Sequence, residues 1–166
     1  MSTVEQNYQR VRERISAACK NASRQPDSVR LLAVSKTKPA SMVRACYEQG
    51  QRAFGENYLQ DGLDKIDALA ELTDIEWHFI GPLQSNKTRP VAEHFQWLET
   101  LDREKIARRL NEQRPDNLPP LNVLIQVNIS DEDQKSGIAT ESVTSFAQTL
   151  LSLPRLKVRG LMCIPE

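Results

Sequence analysis

Apolar positions in the first 22 residues recur at helical spacing. Val4, Tyr8, Val11, Ile15 and Ala18 stand three or four residues apart and form one stripe. Gln25-Pro26-Asp27 ends this leading helix. Such a stripe is buried only against something already built. The period then changes. Val29 to Val34 (VRLLAV) is a short, nearly continuous apolar run, the pattern of a buried strand. Pro39 suits the first position of a helix that runs to Gln49, where Gly50 is placed to end it. Arg52-Ala53-Phe54 is the next strand, closed by Gly55. Leu59, Leu63, Ile66 and Leu69 form another helical stripe, which Gly62 weakens without breaking.

The alternation continues. Glu76 to Ile80 reads as a strand turned off by Gly81-Pro82, and Thr88 to Phe95 as a short helix. Gln96 to Glu99 is a strand, and Asp102 is placed to cap the helix carrying Ile106, Ala107 and Leu110. After the linker Asn117-Leu118-Pro119-Pro120 comes the clearest buried strand, Leu121 to Val127. A helix over Thr140 to Leu153 and a last strand over Leu156 to Leu161 complete the series. Strands separated by helices at this spacing predict a parallel α/β sheet, open or closed. A closed eight-stranded barrel usually takes about 250 residues. Six units in 166 residues are two short of that, and on periodicity alone an open doubly wound sheet is the main alternative.

Composition narrows the function classes. Lys plus Arg number 22 and Asp plus Glu 22, so the chain is formally neutral, which argues against a strongly basic nucleic-acid binder. No apolar run approaches a membrane span, and the first residues (MSTVEQNYQRVRER) lack a signal-peptide core. Cys19, Cys46 and Cys163 are odd in number and far apart, so neither a disulfide scaffold nor a clustered zinc site fits. A cytoplasmic location is the expectation.

Parallel α/β folds place function at the carboxyl ends of their strands. There stand Ser35-Lys36-Thr37-Lys38, Glu56-Asn57-Tyr58, Gln84-Ser85-Asn86-Lys87, Asn128 and Met162. Lys36 lies two residues beyond its apolar run. A lysine there bonds an aldehyde when burial or a neighbouring charge such as Lys38 favours the free amine; the simpler alternative is a solvated lysine past the strand end. Asn57 reads more readily as a helix N-cap than as a ligand. His78 alternates with Trp77 and Phe79; if their face is the helix-packed exterior, His78 points into the barrel, where a satisfied histidine is the simpler reading. The loop Asp131 to Gly137 has an incomplete calcium register, and Lys135 within it could reach an anion, although a solvated lysine is the simpler reading. No dinucleotide, Walker or nucleophile-elbow pattern follows any strand.

Six segments together carry a family resemblance: Leu32 to Pro39 (LAVSKTKP), Phe54 to Gln60 (FGENYLQ), Trp77 to Lys87 (WHFIGPLQSNK), Val127 to Ser130 (VNIS), Lys135-Ser136-Gly137 (KSG) and Arg159 to Met162 (RGLM). In order and content the chain resembles the YggS/PROSC family of pyridoxal-phosphate homeostasis proteins, in its bacterial branch. The resemblance implies a single (β/α)8 barrel of the TIM type, like the N-terminal domain of alanine racemase, spanning residues 1–166. It implies pyridoxal 5′-phosphate held as a Schiff base on Lys36, with Asn57 and Met162 around the ring and no catalytic residue or metal. Lys38, His78 and Lys135 match recurrent polar positions near the mouth. The implied role is binding, buffering or delivering the cofactor, to apo-enzymes that use it, without catalytic turnover. A racemase-like enzyme and a non-functional remnant are the alternatives.

The same resemblance leads us to expect a C-terminally truncated, incomplete barrel. The family's two further units hold the phosphate with a serine- and glycine-rich segment and a late arginine–glycine motif. Two exposed parallel edges would favour an oligomer or aggregate over the family's monomer.

Overall fold

The structure, a computed structural model, describes residues 2–130 and 136–165. Six parallel strands form one sheet: β1 (Ala33–Val34), β2 (Ala53–Glu56), β3 (Glu76–Phe79), β4 (Trp97–Leu101), β5 (Leu121–Gln126) and β6 (Leu156–Met162). Helix α1 (Thr3–Asn21) precedes them. Between and beside them run α2 (Ala40–Glu48), α3 (Leu59–Ala68), α4 (Thr88–His94), α5 (Glu104–Gln113) and α6 (Val143–Leu151).

Strand order decides what spacing left open. A doubly wound sheet reverses direction part-way, but here each strand is added beside its predecessor from β1 through β6. Right-handed crossovers that all step one way put the helices on one face and turn the other face inward, as in a barrel wall. Neighbouring helices accordingly pack in sequence, α3 on α4, α4 on α5 and α5 on α6. Strands β1 and β6 are the two edges, and the sheet is open between them.

The two faces differ in chemistry. Phe54, Trp77, Phe79, Leu98, Val123 and Ile125 face the helices and meet Val43, Val91, Phe95, Ile106, Leu110 and Leu150 in one core. Phe79 and Phe95 close it edge to face, ring centres 5.5 Å apart. On the inner face a single register row crosses the whole sheet: Val34, Gly55, His78, Trp97, Asn122 and Lys157. At the edges apolar side chains lack a neighbouring strand, leaving Val34 51% and Leu161 59% exposed.

Several local expectations need correction. Only Ala33–Val34 of the apolar run pairs as a strand, because β1 has one neighbour and a side chain takes the place of further ladder bonds. Gln51 Nε2 donates to the carbonyls of both Leu31 and Ala53, each at 2.8 Å. Asp102 does not cap α5; Arg103 occupies that position, and Asp102 Oδ2 accepts the Gly137 N–H at 3.0 Å instead. In α1, Tyr8 and Cys19 are buried while Val11 is exposed, so the buried line is narrower than the apolar stripe. The helix packs on α2, and its Tyr8 hydroxyl donates to Gln51 Oε1 at 3.0 Å.

Candidate functional site

The three predicted ligands all lie at carboxyl ends of strands. Lys36 is exposed in the turn after β1, Asn57 directly follows β2, and Met162 is the half-buried last residue of β6. Lys36 and Asn57 thus stand at adjoining strand ends. Met162 belongs to the opposite edge strand, so Lys36 and Met162 flank the open side of the sheet.

Asn57 is not a helix cap. Tyr58 precedes α3, and no side chain caps that helix. The Asn57 side-chain oxygen is buried and accepts no hydrogen bond among the described residues. An unmet buried acceptor is costly in a folded chain and marks a place where a ligand donor is welcome. Asn57 is held by its backbone. A Cβ on Gly81 would lie 2.1 Å from the Asn57 carbonyl oxygen, so only glycine lets the β3 turn approach this closely.

The turn carrying Lys36 is tied from behind the sheet. Lys65 of α3 is 4% exposed and donates to the Ser35 carbonyl at 2.6 Å, Glu56 Oε1 at 2.5 Å and Asp61 Oδ2 at 3.0 Å. Asp61 Oδ2 also accepts the Thr37 N–H at 3.2 Å. Burial raises the Glu56 carboxyl above its usual range, against the pull of Lys65. The Asp61 carboxyl is lowered: desolvation opposes this, but Lys65 and the Thr37 N–H outweigh it. Thr37 has φ 63°, the left-handed region that a β-branched residue rarely adopts.

Deeper on the inner face, His78 stacks on Trp97 with ring centres 5.0 Å apart and planes 11° from parallel. His78 Nδ1 lies 2.6 Å from Glu99 Oε1, while its buried Nε2 has no hydrogen-bond partner among the described residues. The interior placement is as expected, but only one ring nitrogen is satisfied. Below it, Glu76 accepts from Arg30 at 2.7 Å and from the Trp97 indole at 2.9 Å. The Arg159 guanidinium lies 5.2 Å from the Trp97 ring centre.

Of the remaining predicted positions, Lys38 is exposed, with its backbone N–H donating to the Ser35 carbonyl at 3.1 Å. Lys135 lies outside the described residues. Its neighbour Gly137 is held by Asp102 at the mouth. Among the described residues no group of three or more His, Cys, Asp or Glu side chains could hold a metal, and no helix is long and apolar enough to cross a membrane.

Cavities lie beside the predicted ligands at both edges of the sheet. One of about 430 Å³ is a mainly apolar wedge between α1, α2 and the β1 edge, lined by Tyr8, Val34, Ser35, Lys38 and Met42. Another of about 400 Å³ is lined by Leu161 and Met162 at the β6 edge. Smaller cavities of about 260 Å³, beside Asn128 and Ser130, and 200 Å³, beside Thr100 and Asp102, lie at the mouth.

The model of the family described as alanine racemase, N-terminal domain, matches residues 2–166. The chain belongs to this family. Within the alanine racemase N-terminal domain family, it is 58% identical over 167 residues to the pyridoxal phosphate homeostasis protein of Escherichia coli, covering 99% of this chain and 71% of that one. It is 56% identical to the Haemophilus influenzae protein of the same name, covering 98% and 69%. Among solved structures it resembles PipY of Synechococcus elongatus with PLP bound, at 35% identity and TM-score 0.77, covering 91% of this chain and 70% of PipY. Alanine racemase from E. faecalis, at 15% identity and TM-score 0.69, shares the fold, covering 94% of this chain and 42% of that one. The YggS/PROSC resemblance and the barrel-type fold both hold.

Proposed function

We propose that residues 1–166 act as one domain that binds pyridoxal 5′-phosphate and serves its homeostasis without turning over a substrate. The setting of this reading is the cytoplasm, where apo-enzymes would receive the cofactor. The relatives' shared name and the PLP-bound PipY structure support it.

The observation that carries the reading is the buried Asn57 oxygen, without a hydrogen-bond donor among the described residues, at the strand end adjoining the Lys36 turn. The residues fit the group. Lys36 offers an exposed primary amine, Asn57 an acceptor for a ring substituent, and Met162 a half-buried thioether as an apolar contact. When bound, the cofactor supplies an aldehyde carbon on which a primary amine condenses with loss of water. Lys36 would attach it, Asn57 orient it, and Met162 cover it.

The test is borohydride reduction of the full chain after incubation with pyridoxal phosphate, followed by intact mass and peptide mapping. A single pyridoxyl-phosphate adduct on Lys36, absent from Lys36→Ala, is the expected result. A folded, cofactor-saturated sample with no adduct at Lys36 overturns the reading. The absence of turnover is checked separately by incubating loaded protein with amino acids in heavy water. Steady, Lys36-dependent exchange of the α-proton would make the protein an enzyme.

A further inference from the structure

We propose that Glu56, Asp61 and Lys65 form a positioning device for Lys36: one cluster behind the sheet, with Glu56 and Lys65 buried and Asp61 at its rim, grips the peptide groups on both sides of the Lys36 Cα. This rests on the reading of Lys36 as the attachment point and adds residues that do not touch the cofactor.

The geometry is specific. The peptide group before Lys36 presents the Ser35 carbonyl, and Lys65 Nζ donates to it at 2.6 Å. The peptide group after Lys36 presents the Thr37 N–H, and Asp61 Oδ2 accepts it at 3.2 Å. Peptide groups are planar, so the only soft rotations between these two are φ and ψ of Lys36. Holding both planes holds those rotations, and with them the direction in which the Lys36 side chain leaves the backbone. Lys65 and Asp61 are themselves joined at 3.0 Å, so the two grips act as one.

The cluster is built for this and is expensive otherwise. An ammonium has three N–H donors, and Lys65 places them on three acceptors: Ser35 O, Glu56 Oε1 and Asp61 Oδ2. Glu56 is fully buried, and its second oxygen, Oε2, has no hydrogen-bond partner among the described residues. A buried ion pair of this kind is weak as a stabiliser, because apolar packing of similar volume serves as well or better. Its distinct product here is the backbone of one turn. That turn contains Thr37 at φ 63°, a conformation that persists only when its surroundings impose it. Helix α3 is brought close enough by Gly62, where a Cβ would lie 3.2 Å from the Glu56 Cβ.

Asp61→Ala is the main test, because its side chain is partly exposed and its loss spares the core. Lys65→Met is run in parallel. Amide exchange at Thr37 is read by NMR on the full chain without cofactor; the pyridoxal phosphate dissociation constant is read by absorbance; the thermal transition serves as control. Asp61→Ala should speed Thr37 exchange and weaken cofactor binding by about tenfold each, the scale of one charge-assisted hydrogen bond, with little change in the thermal transition. Asp61→Asn, which keeps an oxygen for the Thr37 N–H, should recover most of both. Unchanged Thr37 exchange and cofactor affinity in Asp61→Ala overturns the proposal, whatever Lys65→Met does. So does a loss that Asp61→Asn fails to recover. The Lys36→Ala adduct control separates the two readings. If Lys36 carries no adduct while Thr37 exchange still responds, the attachment reading fails and the turn clamp stands. If Lys36 carries the adduct and exchange does not respond, the clamp alone fails.

Discussion

The two ends of the sheet use buried polar groups differently. At the floor, where strands begin, polar side chains are spent on backbone carbonyls. Arg114 is buried and donates to the carbonyls of Ala92, Phe95 and Pro119 at 2.6–2.8 Å. Arg155 reaches the carbonyls of Pro115 and Leu118, although its Nε has no hydrogen-bond partner among the described residues. Gln51 serves Leu31, Ala53 and Tyr8. These groups close helix ends and loops that could not otherwise hide their carbonyls. At the mouth, Asn57 keeps a buried oxygen without a donor among the described residues, and Lys36 extends into solvent from a constrained turn. One end spends its buried polar groups mainly on the chain's own carbonyls; the other is arranged to be satisfied by something else. This is the division between stability and function expected of a barrel wall.

The sharpest way to break this comparison is at Arg114. Burial lowers its pKa to about 10, with Arg155 adding to the effect. Arg114→Leu strands three carbonyls and should cost ~3–5 kcal/mol in urea-induced unfolding, since each buried acceptor left unpaired costs about 1–3 kcal/mol. A cost below about 1 kcal/mol would mean that the floor is not carried by this side chain.

A smaller effect concerns Glu56. Its carboxyl titrates above the ordinary 4.5, mainly through desolvation. Between the ordinary and the raised value, the folded chain holds a proton that the unfolded chain has released. Stability therefore falls as pH rises through that window and levels off above it. Glu56→Gln should flatten this slope, read from thermal transitions across the acid range. Asp61, whose carboxyl is lowered, acts with the opposite sign below its ordinary 3.8 and is common to both proteins. Identical slopes in both would show that Glu56 does not titrate as its burial implies.

The smallest stability effect should come from the mouth. Asn57→Ala removes an acceptor that no group among the described residues uses, so unfolding should shift by no more than about 0.5 kcal/mol. Cofactor affinity should nevertheless fall about tenfold, as for one lost hydrogen bond to a ligand. Destabilisation comparable to Arg114→Leu would erase the distinction between the two ends.

The sequence made the succession of elements legible, from the leading helix through strands at 52–54, 76–80 and 121–127, because burial on one or both faces imposes a period on apolar residues. It also placed Lys36, Asn57 and Met162 at strand ends. In helix α3 it identified the core-facing stripe, since Leu69 is buried in the core and Leu59, Leu63 and Ile66 pack half-buried against it, but it missed that Gly62 and Lys65 are buried as well. The signal was present as a glycine and a lysine at helical spacing ahead of Leu69, with Asp61 one turn before Lys65. A lysine in that register ordinarily indicates solvent. Arg114 was hidden for the same reason, since its acceptors are carbonyls with no side-chain signature.

By itself, then, the order of residues determined the local periods, the alternation of strand and helix, and which polar side chains stand at strand ends. Those properties depend on neighbours within a few positions. Only the tertiary structure decided that the strands succeed one another in a single direction, that Asn57 has no donor among the described residues, and that Lys65 and Asp61 grip the backbone on either side of Lys36. Those two grips join residues 30 and 24 positions apart, and no short-range pattern records which distant groups arrive beside a buried charge.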